Sequence, residues 1–151
     1  TFSLNATASD AAGAAVDAPA SSNITADVVA TVLVYTTQPG GNTSPGALST
    51  QPVLEARDAA GLLDVDFTSG VTLSTAAGGT IGGTNPKGAV AGVVTFTDIT
   101  YAATADNESF TLTATGGGIS SAASNAATSD VLATQLVFTT QPATSATRPS
   151  A

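Results

Sequence analysis

The sequence predicts an all-β chain built from sandwich-sized modules in tandem. Three observations carry that prediction. Short runs rich in Val, Thr, Ile and aromatic residues alternate with Gly, Pro, Asn and Ser breaks. Several of those runs alternate apolar and polar residues with period two. Finally, Leu33-Val34-Tyr35-Thr36-Thr37-Gln38-Pro39 recurs as Leu136-Val137-Phe138-Thr139-Thr140-Gln141-Pro142, with six of seven positions identical and an offset of 103.

The elements follow in chain order. Residues 10–20 are Ala-rich but carry no apolar stripe of helical period, so a loop or a small-residue edge strand is expected there, ahead of a helical turn. Residues 32–38 read as a strand stopped by Pro39-Gly40-Gly41, and residues 51–57 as a strand stopped by the turn Asp58-Ala59-Ala60-Gly61. Residues 71–75 lie between Gly70 and Gly78-Gly79. Residues 89–97 follow the turn Asn85-Pro86-Lys87-Gly88. Residues 108–115 end at three glycines, and the small, polar residues 119–127 supply a final strand. Phe110, Leu112 and Ala114 share one face; so do Val94 with Phe96, and Val71 with Leu73. Glu55 and Arg57 are expected on the solvent side, opposite Leu54 and Ala56. The core must be assembled from few large residues: Phe67, Phe96, Phe110, Tyr101, Leu54, Leu73, Leu112 and Ile99.

The repeat extends beyond the heptapeptide. Asp27, Val28, Ala30 and Thr31 recur at the same offset as Asp130, Val131, Ala133 and Thr134. A second echo, at offset 108, keeps Phe2, Leu4, Ala6 and Thr7 as Phe110, Leu112, Ala114 and Thr115. The five-residue difference falls in the loose stretch 8–22, where a change of length costs little. A period of 103–108 residues is the size of one sandwich module. The order of the echoes reads as a window cut out of phase from an array. Residues 1–30 hold the closing strands of a preceding module and a linker, residues 31–128 one complete module, and residues 129–151 the first strand of the next. Phe2, Leu4, Leu136 and Phe138 are the residues expected to pair between modules.

Composition narrows the chemistry. The chain has 151 residues, no Cys and no His, with three Lys and Arg against eleven Asp and Glu. Thiol chemistry and histidine base catalysis are excluded, and zinc, iron–sulfur and haem lose their usual ligands. Three cations are too few to neutralise a nucleic-acid backbone. No apolar stretch approaches the ~18 residues of a membrane helix, so no insertion is expected. Asp64 and Asp66 would point the same way on a strand, with Asp58 close upstream, and this oxygen-rich group is the candidate calcium site; the other reading is a solvated acidic loop. Asp106, Asn107 and Glu108 form a second acidic cluster, read as a polar turn ahead of an inter-module calcium site. Paired carboxylates also serve glycosidases, but no aromatic sugar platform accompanies them, so no enzyme and no other cofactor are expected. Sequons at Asn5, Asn23, Asn42 and Asn107 are a mild excess for so Ser- and Thr-rich a chain; they mark glycosylation sites if the chain is exported.

Four pieces at consistent spacing carry a family resemblance: "LVYTTQP" from Leu33, "QPVLEARDAAG" from Gln51, "VVTFTDI" from Val93 and "SFTLTAT" from Ser109. Together they resemble the immunoglobulin-like repeats found in tandem in large bacterial surface and extracellular proteins, the group that includes invasin- and intimin-type adhesin modules. The resemblance implies an immunoglobulin-like Greek-key β-sandwich in an extracellular or cell-surface fibre, stalk or adhesin shaft. There it would give extension and mechanical strength, with neighbouring copies as partners, joined covalently or by strand exchange between subunits. It brings no catalytic residues. The loop Leu62-Leu63-Asp64-Val65-Asp66 departs from the family pattern by its apolar residues, which read as cover for a neighbour. The alternative is a carbohydrate- or receptor-binding adhesin domain. That role would use Tyr101 and Phe67, the two aromatics with any claim to exposure, although both are expected to be partly core.

Overall fold

The structure, a computed structural model, describes residues 26–141 and 143, together with the backbone of residues 8–9 and 15–16. It is all-β, with no helix among the described residues. The strands are β1 (Ala8–Ser9), β2 (Ala15–Val16), β3 (Val32–Thr37), β4 (Asn42–Ser44), β5 (Gly46–Ala47), β6 (Val53–Arg57), β7 (Gly70–Ser74) and β8 (Thr80–Gly82). They continue as β9 (Lys87–Gly88), β10 (Val93–Thr95), β11 (Thr100–Ala102), β12 (Glu108–Phe110), β13 (Thr113–Gly116), β14 (Ile119–Ser120) and β15 (Ala127–Val131). The antiparallel pair β1–β2 brings Ala8 opposite Val16, in part of the stretch where a loop or edge strand is expected.

Two sheets, β10-β6-β3 and β14-β13-β7-β9, supply the facing apolar surfaces, an arrangement consistent with a β-sandwich. Period-two burial makes those surfaces. β6 buries Leu54 and Ala56 and turns Glu55 and Arg57 outward, where they pair at 2.8 Å. β7 buries Val71 and Leu73 between exposed neighbours. Phe110, Leu112 and Ala114 are all buried on one face, as are Val94 and Phe96. Of the expected core residues only Phe67 is partly exposed, packed against the rim of the cluster. Two smaller sheets, β5-β11-β8 and β12-β15-β4, extend the core around Tyr101 and Phe110, whose rings stack at 4.0 Å. β4 and β15 run parallel, with Ser129 opposite Asn42.

The core is small. Sixteen hydrophobic residues are buried among those described, and five of them are alanine. Each larger aliphatic or aromatic side chain contributes about 1.5–3 kcal/mol by leaving water, so each position counts heavily. Side-chain amides supply further cohesion at amide–proline dipeptides. Proline lacks an N–H and cannot donate to a ladder. In the residue before it, Gln51 accepts from Ile99 N–H at 2.8 Å and donates to the Ile99 carbonyl at 3.0 Å. Asn85, ahead of Pro86, makes the same two-point pairing with Leu73, both bonds at 2.8 Å. Gln38, ahead of Pro39, accepts from Asn125 N–H at 2.9 Å.

Three expected strands differ in extent. Residues 89–97 shorten to β10 because Ala91 and Gly92 turn through positive φ, 50° and 78°. A side chain at position 92 would strike the Asp64 carbonyl, so glycine is required there. Residues 108–115 divide into β12 and β13 at Leu112, which donates to the Ser124 hydroxyl at 2.9 Å; Ala114, inside β13, donates likewise to the Ser121 hydroxyl at 2.9 Å. The same two serines return their N–H groups to the Leu112 and Ala114 carbonyls, which explains why the closing segment is small and polar. That segment runs on as β15 to Val131, past the boundary expected at 128, because Ser129 is fully buried between β12 and β4.

Candidate functional site

The strand directions give the module two ends. β3 carries the chain away from the end where residues 26–31 arrive. β6 returns antiparallel and finishes there at Arg57, and β10 departs again from Val93. Residues 58–69 and 89–92 therefore gather around the arriving chain at this leading end. Backbone bonds lock them together: Thr31 N–H to the Arg57 carbonyl and Ala56 N–H to the Gly92 carbonyl, both 2.8 Å, and Gly92 N–H to the Phe67 carbonyl at 3.2 Å. β15 leaves from the opposite, trailing end, where the Asp106 carboxylate accepts from Val131 N–H at 3.1 Å.

Exposed large apolar residues concentrate at these ends. Val29, Leu62, Val65 and Val90 surround the leading end; Val131, Leu132, Leu136, Val137 and Phe138 follow the trailing end. Val34 on β3 is the remaining one among the described residues. Leu33 is 1% exposed whereas its echo Leu136 is 100% exposed, and Phe138 is 73% exposed and lies in no strand. Leu136 and Phe138 thus have no partner strand among the described residues. Phe2 and Leu4, the other expected pairing residues, lie outside them.

The acidic residues hold turns. Of the expected calcium group, Asp64 and Asp66 come together as a carboxyl pair while Asp58 serves its own turn, and no set of three potential ligands assembles among the described residues. Asp58 caps its own turn, accepting from Ala60 N–H at 2.9 Å and Leu62 N–H at 2.8 Å. Asp64 sits in a turn and not on a strand, so period-two reasoning does not apply to it. Its carboxylate, buried, accepts from Ala30 N–H at 2.8 Å and Phe67 N–H at 3.0 Å. A hydrogen bond with the Asp66 carboxyl, then the Ala30 amide, hold Asp64 below its ordinary pKa. The same contact, then the charge of Asp27, raise Asp66. Asp64 is a clamp on the arriving chain, a role visible only once the loop folds back onto Ala30.

Glu108 has the corresponding role at the trailing end. Its carboxylate accepts from the Tyr101 hydroxyl at 2.6 Å, Gly79 N–H at 2.8 Å, Thr104 N–H at 2.6 Å and the Thr104 hydroxyl at 2.9 Å. The Tyr101 hydroxyl first, then the Thr104 amide, push its pKa down to about 2. Tyr101 is pushed up to about 12, by burial first and then by its bond to Glu108. The second acidic cluster is therefore a bonded turn, with Asn107 at a φ of 54°.

The sequons divide. Asn42 donates its amide to the Gly46 and Tyr101 carbonyls, both at 2.8 Å, so a glycan on that nitrogen would cost one of the two bonds. Asn107 is exposed, and Asn5 and Asn23 lie outside the described residues. Tyr101 is 1% exposed and offers no ring to a sugar. A cleft of about 230 Å³ between β3 and residues Ala122 and Ala123 is smaller than the ~300–1,000 Å³ of ligand pockets.

No protein-family model and no curated protein matches the chain.

Proposed function

We infer that residues 26–131 form one copy of an immunoglobulin-like Greek-key module in a tandem array, and that the array is a shaft of an extracellular or bacterial surface protein. The observation that carries this reading is the opposite fate of one sequence. In β3 the heptapeptide inserts Leu33 into the core and pairs along β6; its echo leaves Leu136 fully exposed beyond the trailing end. An isolated apolar strand is unstable in water, so the echo is the β3 of a following copy. The strand order supports the same reading: β3, β6 and β10 share one sheet, β13 and β7 face it, and β15 runs parallel to β4. Extension along such an array loads the ladders within each module and transmits force from end to end.

Negative-stain imaging of the parent protein tests the reading. A thin beaded rod is expected. A compact particle with no repeating bead would contradict it.

A further inference from the structure

We propose that the apolar leading end, Val29, Leu62, Val65 and Val90, is a docking surface for the trailing end of the preceding copy of the same module, so that adjoining copies form one rigid unit. This rests on the tandem reading above. It adds what that reading leaves open, whether copies swing freely or press together.

The linker length is the first support. β15 ends at Val131, and Thr25, Asp27 and Val28 repeat Thr128, Asp130 and Val131 at offset 103. The final strand of the preceding copy therefore ends at Val28. The present copy fixes its own backbone from Ala30, 9% exposed, whose N–H is bound to Asp64. In the array Val29 is then the one residue between the end of that strand and Ala30, whose bound N–H lies two residues ahead of β3. Two Cα steps span at most about 7 Å, less than the ~10 Å separation of the two layers inside a sandwich. End faces held that close cannot both remain in water.

The surface chemistry is the second support. Val29, Leu62, Val65 and Val90 are 57–77% exposed and come from three separate segments that meet at this end. Scattered exposed aliphatics are ordinary, but a group gathered where the chain enters marks an interface. Asp58 and Asp66 give it a polar rim, the usual anatomy of a contact surface. The position of Val29 is kept aliphatic in the next copy, as Leu132, which is 60% exposed. Asp27, on the arriving chain, lies near enough to Asp66 for its charge to raise the Asp66 carboxyl.

The test lengthens the full chain by one repeat, joining residues 1–142 to residues 40–151, which keeps the natural junction through Leu132. The chain has no Cys, so Thr72→Cys in each copy carries one spin label apiece. Pulsed dipolar spectroscopy then reads the distance between copies. Docking predicts one narrow distance distribution. Leu62→Ser with Val90→Ser in the added copy should broaden it several-fold, as should Gly-Ser-Gly inserted between Val131 and Leu132. A broad distribution in the unaltered lengthened chain, with the amplitude of the urea transition doubled as two folded copies require, overturns the docking surface and leaves the tandem reading standing; independent copies keep the m-value of one. A transition amplitude unchanged from the 151-residue chain means that the added copy does not fold, and both fail.

Discussion

β3 and the segment from Leu136 to Thr140 share nearly the same sequence and occupy opposite surroundings. Leu33 is buried to 1% exposure, and β3 pairs with β6 from Val32 opposite Arg57 to Thr37 opposite Val53. Leu136, Val137 and Phe138 stand in solvent outside any strand. Local propensity is equal in the two places, so it does not decide. What decides is whether a strand like β6 lies within reach, because β propensity expresses packing on a half-buried surface more than a preference of the backbone. The apolar residues of the echo are therefore information about a neighbour, not about this module.

The largest expected effect separates the two copies directly. Leu33→Ala should cost about 2–5 kcal/mol, the range for a large side chain removed from a packed core. Leu136→Ala should stay within about 0.5 kcal/mol, as surface substitutions do. Urea unfolding of the two variants measures both, and equal costs would break the comparison. The two sequons offer a second pair of like motifs in unlike places. Asn42→Ala strands the Gly46 and Tyr101 carbonyls and should cost about 1–3 kcal/mol. Asn107→Gln, at an exposed turn, should shift the unfolding midpoint far less.

A smaller, pH-limited effect sharpens the picture of the trailing end, from which the echo departs. Glu108 is depressed from its ordinary 4.5 to about 2. The folded state thus favours the carboxylate, and this contribution is complete above pH 4.5 and lost as pH falls from 4.5 toward 2. Glu108→Gln should be less stable than the natural chain at pH 7, with the gap closing between those limits. Urea midpoints across the acid range read the gap; a gap independent of pH would remove the charge from the account.

Much of the fold was legible from period two. The shared faces of Phe110, Leu112 and Ala114, of Val94 and Phe96, and of Val71 and Leu73 follow from alternation alone, as does the outward Glu55–Arg57 pair. Strand ends were less legible, because side chains end or replace ladders: the Ser124 hydroxyl takes the Leu112 N–H between β12 and β13. The amide–proline dipeptides place an acceptor and a donor beside a missing N–H, but their partners, Ile99 and Leu73, are set by the folded strands and not by the sequence nearby. Asp64 could not be read as a clamp, because its partner Ala30 lies thirty-four residues away and only the folded loop brings them together.

Amide hydrogen exchange over residues 136–140 tests the central claim most directly, compared between the 151-residue chain and the chain lengthened through Pro142. In the shorter chain these amides should exchange at the rates of an unpaired segment. In the longer one they should be protected to the level of β3, because a copy of β6 has become available. Protection already present in the shorter chain, or absent from the longer one while its added residues are folded, would contradict the claim that this segment belongs to the next copy.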